Sequence, residues 1–295
     1  HVELENNSEL AEKQKTALAM IDSQLSILNS QLSIDVVFPV LHGPMGEDGT
    51  VQGLLELAGV PYVGCGVLAS AVGLDKAMMK AAFSVAGLPQ VPWLLIRRAA
   101  WQADSAAEIE RIEAQLTYPV FVKPANMGSS VGITRATDRA TLAQGLEEAA
   151  RYDRRIVVEQ GINAREIEVS VLGNDAPEAS VAGEIVPSNE WYDYEAKYLG
   201  DESKILIPAP ISDTLAEQVR QMATQAFKAI DGAGLARVDF LLDRDSAVLY
   251  LNEANTMPGF TPVSMYAKMW AASGLAYGSL LDRLIELAIE RHTKL

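Results

Sequence analysis

Apolar side chains at Leu10, Leu18, Ile21, Leu25 and Leu28 recur at helical spacing, so residues 8–28 are predicted to form a helix with one core-facing stripe. The pattern then changes. IDVVFPV (34–40) is a continuous apolar run of the kind buried in a parallel sheet. A loop, LHGPMGEDGTVQG (41–53), a short helix over 50–58 and a strand near Val60–Val63 complete a predicted βαβ unit. Asp75 and Gly87 bracket a helix over 75–86, Asp104 caps one through Leu116, and Asp138 caps another through Ala150. PVFVKP (119–124) and VGITRA (131–136) flank a glycine–serine turn and predict a hairpin, with RIVVEQG (155–161) and EIEVSVLG (166–173) as further strands. Residues 184–210 read as a long polar and aromatic loop, a length uncommon without a function. A helix over 213–230, a hairpin over 236–255 and an amphipathic helix over 275–291 end the chain.

Length and composition narrow this picture. A chain of 295 residues with 49% hydrophobic positions suits roughly two packed domains of α/β type and excludes a disordered or fibrous protein. The net charge of −15 argues against a nucleic-acid partner, because phosphate backbones select basic surfaces. A phosphate-bearing small molecule stays open, since it needs only local positive charge. The single cysteine, Cys65, cannot form an internal disulfide and fits a reducing cytoplasm. No run approaches the roughly 18–20 apolar residues that span a bilayer, and residues 1–15 lack a signal-peptide pattern, so no membrane association is expected.

The sharpest chemical feature is Asp239, Glu253 and Asn255. Glu253 and Asn255 alternate on one strand and share a face, and a three-residue turn at Arg244–Ser246 would set Asp239 opposite Leu251, diagonal to Glu253. Val238, Phe240 and Leu242 then line the core side, and Arg237 joins the polar one. Two carboxylates and an amide oxygen make a hard donor set suited to Mg²⁺, with no thiolate or imidazole to favour zinc. Taken alone, the segment reads equally well as a solvated face of an edge hairpin. In KPANMGSSVG (123–132), Gly128, Ser129, Ser130 and Gly132 can bring backbone amides close to phosphate oxygens, with Lys123 at the end of the preceding strand. By itself that segment reads as an ordinary flexible hairpin, and no G-x-x-x-x-G-K-[ST] pattern is present. YDYEAKYLGDESK (192–204) has the makings of a loop that closes over a charged substrate.

Other patterns lead nowhere. Gly64, Gly66 and Ala69 outline a dinucleotide fingerprint, but no acidic residue stands about 20 positions on. The histidines are His1, His42 and His292 and no G-x-S-x-G occurs, which disfavours a Ser-His-Asp hydrolase. Cys65 has no evident base and reads as a small core residue.

HGPMGEDG (42–49), LDK (74–76), KPANMGSSVG (123–132), VVEQGINAREIEVSVLG (157–173), YDYEAKY (192–198), RVDF (237–240) and NEANTMPGFTPVSMY (252–266) occur in one order. That combination closely resembles the D-alanine–D-alanine ligases of the ATP-grasp superfamily, over nearly the whole chain from residue 35 onward. The resemblance implies an α/β (α+β) ATP-grasp fold with an N-terminal Rossmann-like (pre-ATP-grasp) domain that reads as truncated. It divides the chain into an N-terminal substrate domain (1–70), a central subdomain (71–162) and a C-terminal subdomain with the metal and catalytic residues (163–295).

By resemblance, Lys76 and Lys123 hold the ATP phosphates beside Gly128 and Ser130, Glu159 and Ile162 the adenine, and Glu166 the ribose. Asp239, Glu253 and Asn255 match the ligands of two Mg²⁺ ions, for which Mn²⁺ can substitute. Lys197 matches a mobile-loop lysine that reaches the transferred phosphate. Arg237 and the N–H of Gly259 match the oxyanion site, Ser264 the second-substrate carboxylate site, and His42 a position near the first substrate. Ser129 and Tyr198 match members of a hydrogen-bonded group that positions the substrates. The implied reaction phosphorylates one D-alanine carboxylate and lets a second D-alanine attack the acyl phosphate, for peptidoglycan synthesis. Tyr198 favours an amine nucleophile over D-lactate. A cytoplasmic homodimer is the family expectation.

One departure stands out: family members open with a strand, a glycine-rich turn and a substrate-binding glutamate, and nothing before Ile34 matches them. Other readings are a different ATP-grasp carboxylate–amine ligase and a nucleotide-binding module without catalysis.

Overall fold

The computed structural model describes residues 34–128, 130–186, 204–261 and 264–293. Val37 and Tyr62 make a single parallel bridge around helix α1 (Thr50–Ala58), with Val37 N–H donating to Pro61 and Val63 N–H to Val37, both at 2.9 Å. The strands expected over 34–40 and 60–63 shrink to that one bridge. Pro39 and Pro61 supply no amide donor, which cuts the ladder short on both sides.

Helices α2 (Val67–Leu74) and α3 (Lys76–Val85) follow, separated by Asp75, whose side chain accepts from Met78 N–H as the cap of α3. Strand β1 (Trp93–Arg97), helices α4 (Arg98–Ala103) and α5 (Ser105–Glu113), strands β2 (Val120–Pro124) and β3 (Thr134–Ala136), helix α6 (Arg139–Tyr152) and strand β4 (Arg155–Gln160) build the smaller layer. Asp104 caps α5, and Asp138 caps α6 in a reciprocal box with Thr141. The four strands form an antiparallel sheet in the order β1-β4-β2-β3. Val120, Val122, Ile156 and Val158 face Ile109, Ile112, Leu142 and Leu146 of the covering helices. The expected 119–136 hairpin is present, although its second arm starts only at Thr134.

The larger sheet has the order β7-β6-β5-β8-β9, antiparallel throughout, from β5 (Ala164–Gly173), β6 (Glu178–Val186), β7 (Lys204–Leu206), β8 (Gly234–Asp243) and β9 (Leu249–Asn255). Helix α7 (Asp213–Ala229) covers one face, where Val219, Ala223 and Phe227 meet Ile167, Val169, Val171, Val238 and Phe240. Helices α8 (Met265–Ala272) and α9 (Tyr277–Thr293) bury Tyr266, Trp270, Leu280 and Leu284 against Leu172, Leu235 and Val63. Within the span expected as a loop over 184–210, residues 184–186 extend β6 and 204–206 form β7, while 187–203, like the helix expected over 8–28, lie outside the described residues. Strands β1 and β6 and helices α2, α4 and α8 have no counterpart in the sequence reading.

Helix α3 serves both sheets. Met79 and Phe83 join the core of the larger one, while Ala77 packs with Val157 and Ala125 of the smaller one. Among the described residues no helix is long and apolar enough to cross a membrane.

Candidate active site

Alternation along β2 and β4 sends Val122 and Val158 into the core, so Lys123 and Glu159 project from the opposite face, toward α3. Phe121 is the direct partner of Glu159, which leaves Lys123 and Glu159 diagonal to each other. Lys123 Nζ lies 2.6 Å from Glu159 Oε2, and Lys80 Nζ lies 3.2 Å from Glu159 Oε1. Burial alone would raise the Glu159 carboxyl, but the two ammoniums prevail and hold it at about 2. Burial pulls Lys80 below the ordinary lysine range. Desolvation acts on the half-buried Lys123 as well, yet Glu159 overcomes that effect and raises it. One helical turn before Lys80, Lys76 Nζ donates to the carbonyl of Met127 at 2.6 Å and so reaches the glycine-rich loop. Asp75, the cap of the same helix, pairs with Arg155 of β4.

The loop itself is tightly wound. Ser130 and Gly132 have φ of 60° and 70°, and Val131 N–H donates to Gly128 at 3.1 Å. Gly132 is needed twice over: its φ is left-handed, and a Cβ there would come 2.7 Å from the Tyr152 ring and 2.9 Å from Pro124. A Cβ at Gly128 would stand 3.7 Å from Gly43 Cα and 3.8 Å from Glu47 Oε2, so this loop lies against HGPMGEDG. Ile162 is half-buried in the crossover from β4 to β5.

The opposite wall is the β8–β9 hairpin. Its turn has four residues, Arg244–Ala247, closed by Asp243 N–H donating to Val248 at 2.9 Å. A register shift then follows between Asp239 and Phe240. Asp239 therefore pairs directly with Glu253, and Arg237 with Asn255, instead of the expected diagonal arrangement. The extra residue is Asn252, and the bulge corrects the reading by bringing the two carboxylates closer in register. Val238, Phe240 and Leu242 are buried on the core side, as expected.

Arg237 Nε and Nη2 donate to Asp239 Oδ1 and Oδ2, both at 2.7 Å, and Nε stands 3.2 Å from Glu168 Oε2 on the neighbouring strand. Burial opposes the guanidinium charge, but Asp239 and Glu168 outweigh it and hold Arg237 charged. Asn255 Nδ2 donates to Asp239 Oδ2 at 2.9 Å. Glu253 and Glu166 of this sheet both act on the Lys123 ammonium across the cleft.

Among the described residues, no three His, Cys, Asp or Glu side chains are grouped to hold a metal. A cation here would rest on two carboxylates and an amide. These are oxygen donors adjacent in register, which fit a hard divalent ion on donor chemistry.

Gly259 and Ser264 come together, since a Cβ at Gly259 would meet Ser264 Oγ at 2.8 Å, and that oxygen accepts from Thr261 N–H at 3.0 Å. Leu41 N–H donates to Met257 Sδ at 3.2 Å and brings the His42 loop to the end of β9. His42 is largely exposed, with Nδ1 3.9 Å from Glu47 Oε1. Ser129, Lys197 and Tyr198 lie outside the described residues. Cys65 is buried, as expected of a small core residue, with Sγ 3.5 Å from the Leu235 carbonyl.

Three residues at this site were absent from the sequence reading: Lys80, Glu47 and Glu168. Lys80 carried a faint signal, a second lysine one turn after Lys76. Glu47 sits inside a quoted motif and is raised by burial, with Glu253 adding to the rise. Glu168 alternates with Glu166 on β5 and faces the same side.

Two antiparallel sheets closing on lysines from one wall and on carboxylates with an arginine from the other define the ATP-grasp class of ATP-dependent ligases. The family described as D-ala D-ala ligase C-terminus matches residues 82–286, and that described as D-ala D-ala ligase N-terminus matches 2–65, further toward the start than residue 35. A D-alanine–D-alanine ligase of Heliobacterium modesticaldum is 58% identical over 266 residues, 90% of this chain and 73% of that protein. The D-alanine–D-alanine ligase structure from Coxiella burnetii superposes with TM-score 0.78 at 40% identity, covering 88% of this chain and 69% of the other. The VanG D-Ala:D-Ser ligase of Enterococcus faecalis does so with TM-score 0.78 at 40% identity, covering 86% and 73%. The chain belongs to the D-alanine–D-alanine ligase family.

Proposed function

We propose that this chain joins two D-alanines into D-alanyl-D-alanine with ATP, for peptidoglycan precursor synthesis, in the cleft between the two sheets. The observation that carries the reading is the facing of Lys123 and Glu159 against the Arg237–Asp239–Glu253–Asn255 register. ATP lies with its phosphates by Lys76, Lys123, Gly128 and Ser130, its adenine by Glu159 and Ile162, and its ribose by Glu166. Asp239, Glu253 and Asn255 would hold Mg²⁺, two ions in the finer form of the reading with Mn²⁺ as a substitute. When bound, the metal supplies neutralisation of phosphate charge. The γ-phosphoryl group passes to one D-alanine carboxylate, forming a carboxyl–phosphate bond and releasing ADP. The amine of the second D-alanine attacks that carbon, loses a proton and expels phosphate.

Arg237 and the Gly259 N–H stabilise the tetrahedral oxyanion. Ser264 binds the second carboxylate, and His42 stands near the first substrate. Lys197, Ser129 and Tyr198 complete the site on the strength of residue identity. The same reading sets lobes at 1–70, 71–162 and 163–295 and a cytoplasmic homodimer.

Coupled measurement of ADP release tests the reaction. Release that requires D-alanine and exceeds release with D-serine or D-lactate at neutral pH is expected. Release indifferent to D-alanine would sink the proposal, and tight ATP binding without turnover would favour a binding module.

A further inference from the structure

Lys80 is a charged side chain with no access to water and no place in the reaction described above. It is 1% exposed, on helix α3, which packs against both sheets. Its ammonium lies 3.2 Å from Glu159 Oε1, while that of Lys123 is 2.6 Å from the other oxygen, Oε2. A buried ammonium is costly to desolvate, and a hydrophobic residue of similar volume would often stabilise the fold as well or better. Its retention therefore calls for an electrostatic role.

The charges of the cluster suggest one. Glu159 carries one negative charge and the two lysines one positive charge each, so the cluster as a whole carries one positive charge. Without Lys80, the Glu159 carboxylate is balanced by Lys123 alone, and the Lys123 ammonium is tied to it. With Lys80 present, the carboxylate is satisfied by a second ammonium, and Lys123 keeps a charge to offer across the cleft.

We infer that Lys80 is a positioning residue for nucleotide binding: it neutralises Glu159 from inside the protein so that Lys123 is available to phosphate. The inference rests on the nucleotide site set out under Proposed function. It also accounts for the place of Lys80 on α3. Met79 and Phe83 anchor that helix in the core of the larger sheet, so the ammonium is delivered to the smaller sheet from a fixed support.

The test is titration of MgADP against four proteins: the unaltered chain, Lys80→Met, Glu159→Gln and the double variant Lys80→Met/Glu159→Gln. Steady-state kinetics are run beside it. Lys80→Met should weaken MgADP and raise the ATP KM by about tenfold, with kcat and the D-alanine KM changed less than about threefold. In the Glu159→Gln background, adding Lys80→Met should not weaken MgADP further, because the carboxylate it neutralised is gone. The double variant removes both buried charges, so it remains measurable even if Lys80→Met alone fails to fold. Two results would overturn the inference: MgADP binding by Lys80→Met equal to that of the unaltered chain, or equal further loss when Lys80→Met is added to either background. Failure of the unaltered chain to bind MgADP would instead remove the nucleotide site itself.

Discussion

The two walls of the cleft use the same chemistry in opposite ways. Against the smaller sheet, the side chains of Lys80 of α3 and Glu159 of β4 are 1% and 3% exposed, and only Lys123 of that cluster, at 14%, reaches water. On the larger sheet, Arg237 and Asp239 are 24% and 14% exposed, with their polar edge toward the cleft. A closed cluster fixes charge in place and makes it part of the fold. An open one leaves charge able to exchange its present partners for a ligand. In the proposed reaction the first wall positions the nucleotide and the second carries the chemistry, and the contrast in exposure accords with that division.

The largest effect should come from the open wall. Glu253→Gln is expected to lower ADP release by about a thousandfold while circular dichroism and thermal unfolding stay near those of the parent, because the amide keeps the shape and removes the charge. Near-parental turnover would end the assignment of chemistry to that hairpin.

On the closed wall, the expected loss is of stability. Glu159→Ala strands the buried Lys80 ammonium and leaves the half-buried Lys123 unpaired, and should cost about 3–5 kcal/mol in urea unfolding, far more than any change at Glu253. The acid limb gives the same contrast. The Glu159 carboxyl is held at about 2, below its ordinary 4.5, so its contribution is complete above the ordinary value and disappears as pH falls toward 2. Stability of the parent should therefore decline more steeply from pH 4.5 to 2 than that of Lys80→Met/Glu159→Gln. Parallel curves would show that the carboxylate is not held by the lysines.

The smallest effect lies in the scaffold. Asp138→Ala removes the capping box of α6 and should cost about 1 kcal/mol with the ATP KM unchanged.

Much of this was legible in sequence where the signal is local. Asp75, Asp104 and Asp138 cap helices because a short side-chain oxygen satisfies free amides within three residues, and each marked a helix start correctly. The β8–β9 hairpin announced itself through period-two alternation, and its polar face held the expected residues. Its register was not legible. A turn one residue longer than expected and a one-residue bulge at Asn252, which depends on how the strand twists against its neighbours, together turned a diagonal pair into a direct one. Strand β1 and helices α4 and α8 went unread because five, six and eight residues are too short for a period to show. Lys80 was passed over for a different reason. Nothing near it in sequence tells that its ammonium ends beside a carboxylate 79 positions away, which only the packing of α3 between the sheets decides.

The amino-acid order by itself determined the helix starts, the alternating strands, the glycine-rich turn that needs Gly132, and the set of residue types that identifies the ligase family. These follow from short-range sterics, hydrogen bonding and periodicity. Only the tertiary structure decided that Asp239 and Glu253 are register partners, and that the glycine-rich loop rests against Gly43 and Glu47. It alone also decided that Glu159 is shared by two lysines. Each of those facts is a long-range juxtaposition, set by how buried faces pack and by which charges are sealed from water.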